Sequence, residues 1–315
     1  MRLYFFKLIR YFYVMDFGRL EYEEMDMVEF KLPPIHSTLT PPSHTKIRLG
    51  LPMWGEDKFR GTVYPKDAKK PDYMAHYAAQ FDAIELNTTF YNLPPMDRVK
   101  GWIYAATTVN PDFKFCPKIP ESISHKGKLD AHFDELPYLF NVLDAFGPNL
   151  GMSFLQLHES FALSRFEEFL GFIELWPRKY KLGIELRHTS WFKPGPIQER
   201  LFEIMRAREI SLVITDTPGN QVVCHQHFTA PHLMVRFVLT SNHPKDHERR
   251  ENWARRLLEL KDQGLEEIYF FGHERDDTLY MECLPALASE LSSQYELRLP
   301  IDYSTGALDQ QLSLF

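Results

Sequence analysis

The chain has 315 residues, enough for one large domain or two small ones. Hydrophobic residues make up 44% and charged residues 25%, which excludes wholesale disorder, a collagen-like chain and a disulfide-stapled miniprotein. Lys+Arg 36 against Asp+Glu 43 gives −7, so binding of nucleic acid by bulk charge is excluded as well. Contact with phosphates has to come from a local site or through a partner.

Met1–Val14 is apolar and aromatic but interrupted by Arg2, Lys7 and Arg10, and no small-residue cleavage site follows it. Met15 is a plausible alternative start, so residues 1–14 are expected to be dispensable. Residues 15–45 are acidic and then proline-rich, with Pro33, Pro34, Pro41 and Pro42, and read as an irregular arm. Together, residues 1–45 form an N-terminal extension.

From Lys46 onward a unit recurs. Apolar, strand-length runs fall at 46–51, 82–86, 113–117, 150–157, 181–186, 210–215, 232–238 and 266–271. Helical spacing lies between most of them. Tyr73, Tyr77 and Phe81 mark one helix. Ser164 with Glu167 predicts a capping box ahead of Phe169, Leu170 and Ile173. Pro196 predicts a helix start before Leu201, Ile204 and Met205, and Gly264 predicts the stop of a helix carrying Trp253, Leu257 and Leu260. Strand starts about thirty residues apart over residues 46–300 predict an α/β chain folded as a (β/α)8 TIM barrel in a single domain. Residues 217–230 show no helical period, which keeps a doubly wound open sheet as the competing fold.

Strand alternation sorts the polar residues. It puts Glu85 and Asn87 on one face of the second strand, Lys118 at the end of the third, Gln156 and His158 in the fourth, and Glu185 and Arg187 in the fifth. Asp216 ends the sixth strand, Arg236 lies late in the seventh and His273 follows the eighth, with His125 in the loop after the third. Taken singly, Glu185 with Arg187 reads as a structural ion pair, Lys118 as a snorkelling side chain, and each histidine as packed or solvated. Together they converge on the C-terminal ends of the strands, where barrel enzymes hold their sites. Glu85, His125, Glu185 and Asp216 are the expected catalytic groups. Asn87, Lys118, Gln156, Arg187, Arg236 and His273 are the expected ligand-binding groups of an anion site.

Glu85, Glu185, Asp216, His125 and His273 are chemically fit metal ligands. They show no tight metal-ligand spacing, and Arg187, Arg236 and Lys118 would repel a cation, so no tightly bound metal is expected. The residues name no cofactor. Cys116, Cys224 and Cys283 form no CxxC pair and read as buried thiols of a reducing, cytoplasmic compartment. No apolar stretch approaches the roughly 18 residues of a membrane span.

The segments Glu85-Leu-Asn87-Thr-Thr-Phe-Tyr91, Lys118-Ile-Pro120, Ile123-Ser-His125, Leu155-Gln-Leu157, Val235-Arg-Phe237 and above all Glu185-Leu-Arg187-His188-Thr-Ser-Trp191 resemble the YecE-like family, domain of unknown function seventy-two. The resemblance covers about Lys46 to Arg298. It implies a TIM barrel and no assigned activity. The chain departs from the family's pattern at His158-Glu159, Val238-Leu239 and Gly272-His273-Glu274, which alters the rim.

Residues 301–315 read as a flexible tail ending in Gln311-Leu-Ser-Leu-Phe315, which resembles the bacterial sliding-clamp-binding motif at all five positions. Gln311, Leu312, Leu314 and Phe315 are the expected anchors on the DNA polymerase sliding clamp. The expected function is an enzyme-like barrel acting on a phosphate-containing small molecule or nucleic acid, a phosphodiesterase or endonuclease recruited to replication or repair sites. The alternatives are a sugar isomerase or epimerase, and a binding module without catalysis.

Overall fold

The apolar runs become parallel strands because each can bury one face under helices and the other against its neighbours. A computed structural model of the chain describes residues 20–297, apart from 37, 38, 41, 43, 242 and 275–279. The strands are β1 (Lys46–Leu51), β2 (Ala83–Leu86), β3 (Lys114–Pro117), β4 (Ser153–Gln156), β5 (Leu182–Glu185), β6 (Ser211–Leu212), β7 (Ile214–Asp216), β8 (His232–Val238) and β9 (Glu267–His273). The expected sixth strand is thus broken in two. Val213 N–H donates to Ile184 O at 2.9 Å, beside β5, while Ile214–Asp216 pairs with β8 instead.

All strand pairs among the described residues are parallel. They form a six-stranded sheet in the order β3-β2-β1-β9-β8-β7 and a three-stranded sheet β4-β5-β6. The first strand pairs with the last, in register from Lys46↔Glu267 to Gly50↔Phe271. Isolated parallel bridges at Phe115↔Leu150 and Lys118↔Phe154 join β3 to the second sheet. This α/β arrangement is consistent with a TIM-like barrel.

Period-two alternation divides the apolar residues. Ile47, Leu49, Ile84, Val235, Phe237 and Phe270 join the larger helix-facing core. Leu155, Leu157, Ile184 and Leu212 join a second one. Ala83, Cys116, Phe154, Val213, Met234 and Phe271 form a smaller cluster on the opposite face. Each fully buried side chain of this size contributes about 1.5–3 kcal/mol. Gly50 lies where β1 meets β2, and a Cβ there would stand 2.1 Å from Ala83 O, so the strands approach as closely as they do only because that position is glycine.

Some local expectations change. The helix expected to begin at the Ser164–Glu167 box begins at Phe166, after a 3-10 turn Leu163–Arg165, and Arg165 at its N-cap makes no capping hydrogen bond. Glu168 takes over at this end, accepting from Arg165 Nε at 2.8 Å and from the Leu129 N–H. Pro196 does start its helix, which runs Pro196–Arg208. In the arm, Tyr22–Met27 is a 3-10 turn with Met25 fully buried, and His36 bridges to His227. That bridge and the short turn Gln221–Val223 fill the stretch without helical period. No helix among the described residues is long and apolar enough to cross a membrane. Residues 1–14 and the tail 301–315, with Gln311, Leu312, Leu314 and Phe315, lie outside the described residues.

Candidate functional site

Alternation on β2, β5 and β8 carries Glu85, Glu185 and Arg236 to the strand ends on the face opposite the helices. All three are buried. Arg236 ties the two carboxylates together. Its Nε and Nη2 donate to Glu85 Oε2 and Oε1 at 3.0 and 3.1 Å, a bidentate grip, and its Nη1 donates to Glu185 Oε2 at 2.8 Å. His273, at the end of β9, meets Glu85 Oε2 at 2.8 Å, and Asn87 Nδ2 donates to Oε1 at 3.0 Å. Each oxygen of Glu85 therefore has two donors, and its lone pairs are filled.

Glu185 is less saturated. Its Oε2 accepts from Arg236 and from Gln156 Nε2 at 2.8 Å, and its Oε1 accepts from Arg187 Nε at 2.9 Å. Gln156 carries the network on to Lys118, whose Nζ donates to Gln156 Oε1 at 2.8 Å. Lys118 is 1% exposed, and its Nζ stands 4.0 Å from the centroid of the Phe90 ring. Asn87 precedes the one-turn helix Thr88–Tyr91 that presents this ring. His125 meets the ring edge-on, centroids 5.2 Å apart, and its Nδ1 lies 2.7 Å from Ser124 Oγ.

The electrostatics follow from these contacts. Burial alone would raise the Glu85 carboxyl, but Arg236 and His273 outweigh it and hold the group well below the usual carboxylate range. Glu185 is also lowered: burial opposes ionisation, and Arg187 and Arg236 overcome it. Burial pushes His125 down to about 3, helped by Lys118 and Arg187, so its ring is neutral near neutral pH. Lys118 is pushed down to about 7, by burial first and then by Arg236 and Arg187. It is the group of the cluster brought close to neutrality.

The structure brings together Glu85, Asn87, Lys118, Gln156, Glu185, Arg187, Arg236 and His273, with His125 beside Phe90. Asp216 does not join them. Its Oδ1 accepts from Arg249 Nη2 at 2.9 Å and its Oδ2 from Trp253 Nε1 at 2.7 Å, both on the helix Pro244–Glu259. Alternation runs unbroken through the change of partner: Leu212 and Ile214 lie in the helix-facing cores, and Val213 between them lies in the cluster of the inner face. Thr215 thereby shares the face of its register partner Arg236, and Asp216 faces the helices as part of the structural framework. His158 is exposed, its Nδ1 accepting from Ser160 N–H in a local turn.

Sequence reasoning missed Phe90, which reads as an ordinary core aromatic. The Asn-Thr-Thr-Phe string directly after a strand was the available signal, because it turns the chain across the strand end. In Glu185-Leu-Arg187-His188-Thr-Ser-Trp191 only the first and third residues face the cluster. His188 caps the 3-10 turn Thr189–Phe192 by accepting from Ser190 N–H. Trp191 is fully buried and donates to Phe161 O at 2.6 Å. Among the described residues, no group of three or more His, Cys, Asp or Glu side chains is arranged to hold a metal ion. The oxygens of Glu85 are turned toward donors.

The family model described as "Protein of unknown function DUF72" matches residues 48–301. The UPF0759 protein YecE of Escherichia coli (strain K12) is 26% identical over 288 residues, covering 85% of this chain and 100% of the relative. The UPF0759 protein YunF of Bacillus subtilis (strain 168) is 23% identical over 184 residues, 55% of this chain and 61% of the relative. A crystal structure of a DUF72 family protein from Thermotoga maritima MSB8 aligns with a TM-score of 0.60 at 20% identity, covering 79% of this chain and 98% of that one. A second, from Enterococcus faecalis V583, aligns with a TM-score of 0.58 at 20% identity, covering 80% and 98%.

Proposed function

The chain belongs to the DUF72 family, whose function is unknown, and from that premise we propose that its strand ends form the mouth of a closed (β/α)8 barrel that binds a phosphate-bearing ligand and transfers a proton to or from it. One observation carries this reading. The cluster holds three basic side chains, Arg187, Arg236 and Lys118, against two carboxylates, and both carboxylates are taken by the arginines. Lys118 is left facing an amide oxygen and a ring. A buried ammonium without a counter-ion costs several kcal/mol, which an incoming anion offsets. The half-buried Asn87, His125 and Arg187 form the route by which it enters.

Within this reading Glu85 and Glu185 hold Arg236 in place and do not themselves exchange protons. Lys118, with its ammonium destabilised to near neutrality, does. A phosphodiester is one member of the ligand class. The pentapeptide Gln311–Phe315 supports a nucleic-acid setting, in which the sliding clamp brings an acidic protein to DNA through Leu312, Leu314 and Phe315 as apolar anchors and Gln311 as the polar hook.

Titration with inorganic phosphate while following thermal unfolding tests the site. The wild type is expected to gain melting temperature with phosphate and Lys118→Met to gain none. An equal response in both ends this reading. Binding to the organism's own sliding clamp, measured with and without residues 311–315, tests the recruitment. Loss on deletion supports it, and unchanged or undetectable binding removes it.

A further inference from the structure

Lys118 is the basic group of the cluster whose nitrogen meets a neutral acceptor. Among the described residues no carboxylate oxygen comes within ion-pair distance of Nζ, although it lies one amide away from Glu185. Gln156 faces it from β4, Phe90 and His125 from the turns after β2 and β3, Glu185 and Arg187 from the end of β5, and Glu85 and Arg236 from β2 and β8. The two guanidinium groups are held by the carboxylates, not by Lys118, and so act on it as like charges. Burial and the like charge of Arg236 and Arg187 favour the free amine and outweigh Glu85 and Glu185, which act the other way. A lysine that has shed its proton in a buried site is a nucleophile toward carbonyl carbon.

We infer that Lys118 forms an imine with an aldehyde or ketone group of a ligand that also carries a carboxylate or phosphate. This rests on the reading that the strand ends bind an anion and names the class of compound bound there. The neutral Nζ attacks the carbonyl carbon and a C–N bond forms. The carbonyl oxygen departs as water, carrying the two protons lost from the amine nitrogen, and a C=N bond remains. No oxidant, reductant or metal is needed.

The full chain is incubated at pH 7 with glycolaldehyde phosphate, with glyoxylate, or with uncharged glycolaldehyde, each with sodium cyanoborohydride. The hydride reduces any imine to a stable secondary amine. Intact mass is expected to rise by the mass of the probe less one oxygen atom, and peptide mapping to place the adduct on Lys118. At pH 7 an amine with Lys118's balance is about a thousandfold more deprotonated than an ordinary lysine, so labelling at least about tenfold above that of surface lysines is expected. Lys118→Arg keeps the cation and is expected to lose the adduct, and the mapping on wild type needs no variant to fold. Whether glycolaldehyde phosphate or glyoxylate labels faster separates a phosphate from a carboxylate ligand. Labelling spread evenly over lysines, or equal labelling in Lys118→Arg, overturns the imine. Phosphate-dependent stabilisation without any adduct overturns it too, and leaves the anion site standing.

Discussion

The inner face of the strands carries a charged network at each end, and the two are built differently. At the N-terminal ends Glu267 gathers Arg48, Lys181 Nζ at 2.8 Å and Tyr269 OH at 2.6 Å, and Arg48 Nη2 also reaches Asp112 Oδ2 at 3.0 Å. Every cation named there has a carboxylate, and the outer members Asp112, Lys181 and Lys46 are 49%, 47% and 41% exposed in their side chains. Such a network closes the end of the sheet and needs nothing more. At the C-terminal ends the carboxylates are spent on two arginines, and a third, buried cation remains over. Both networks hold more cations than carboxylates; what differs is that each cation of the N-terminal one meets a carboxylate directly or reaches water, while Lys118, at the end where the anion site is proposed, is buried and meets none.

The strongest way to break this contrast is Arg236→Met. It leaves Glu85 and Glu185 buried without their shared partner and is expected to cost about 3–5 kcal/mol in denaturant unfolding. Glu267→Gln at the other end is expected to cost about 1–3 kcal/mol, because Arg48 keeps Asp112 and Lys181 can turn to water. The Glu267 carboxyl is buried, which alone would raise it, but Lys181 and Arg48 hold it down to about 2. The wild type therefore loses this contribution as pH falls from about 4.5 toward 2, and Glu267→Gln is expected to flatten that part of the stability curve. Asp216→Asn is expected to cost a similar 1–3 kcal/mol, roughly, through Arg249 and Trp253, and to leave phosphate stabilisation unchanged. A loss of phosphate response in that variant would return Asp216 to the site.

Lys118→Met has the smallest effect on stability and the opposite sign. Removing an uncompensated buried cation is expected to be neutral or stabilising by about 1 kcal/mol. The folded group titrates near 7 and the unfolded one near 10.5. Between these values the unfolded chain binds more protons, so wild-type stability rises with pH across that window, and Lys118→Met is expected to remove the rise. An unchanged slope would mean that Lys118 is not the group that titrates.

Much of the C-terminal cluster was legible in the sequence, while the N-terminal network was not. Period-two alternation is a local rule, and it placed Glu85, Lys118, Gln156, Glu185 and Arg236 correctly because their strands are unbroken. Asp216 was read from its place at a strand end alone; Leu212 and Ile214 lie in the helix-facing cores, so the same alternation carries Asp216 to the helix side and away from the cluster. Roles were harder to read than positions. A glutamate in a string reads as a proton carrier and a lysine as a phosphate grip. Only the distances show that Glu85 is saturated by four donors and that Lys118 meets an amide oxygen and a ring in place of a carboxylate. The fully paired network at the other end went unnoticed because Arg48 and Glu267 stand 219 residues apart and face each other only once β1 pairs with β9.

Gln156 sits between the two halves of the C-terminal network. Glu185 accepts, so the amide must turn its NH2 toward it, and the oxygen is left for Lys118. An amide neither takes up nor releases a proton near neutrality. Lys118 and Glu185 thus sense each other's charge through Gln156 while no proton passes along it. The side chain is an insulator in a proton circuit. In the proposed site a proton shed by Lys118 does not drain through Gln156 to Glu185, and the exits left to it are the ligand and the half-buried rim at Asn87, His125 and Arg187.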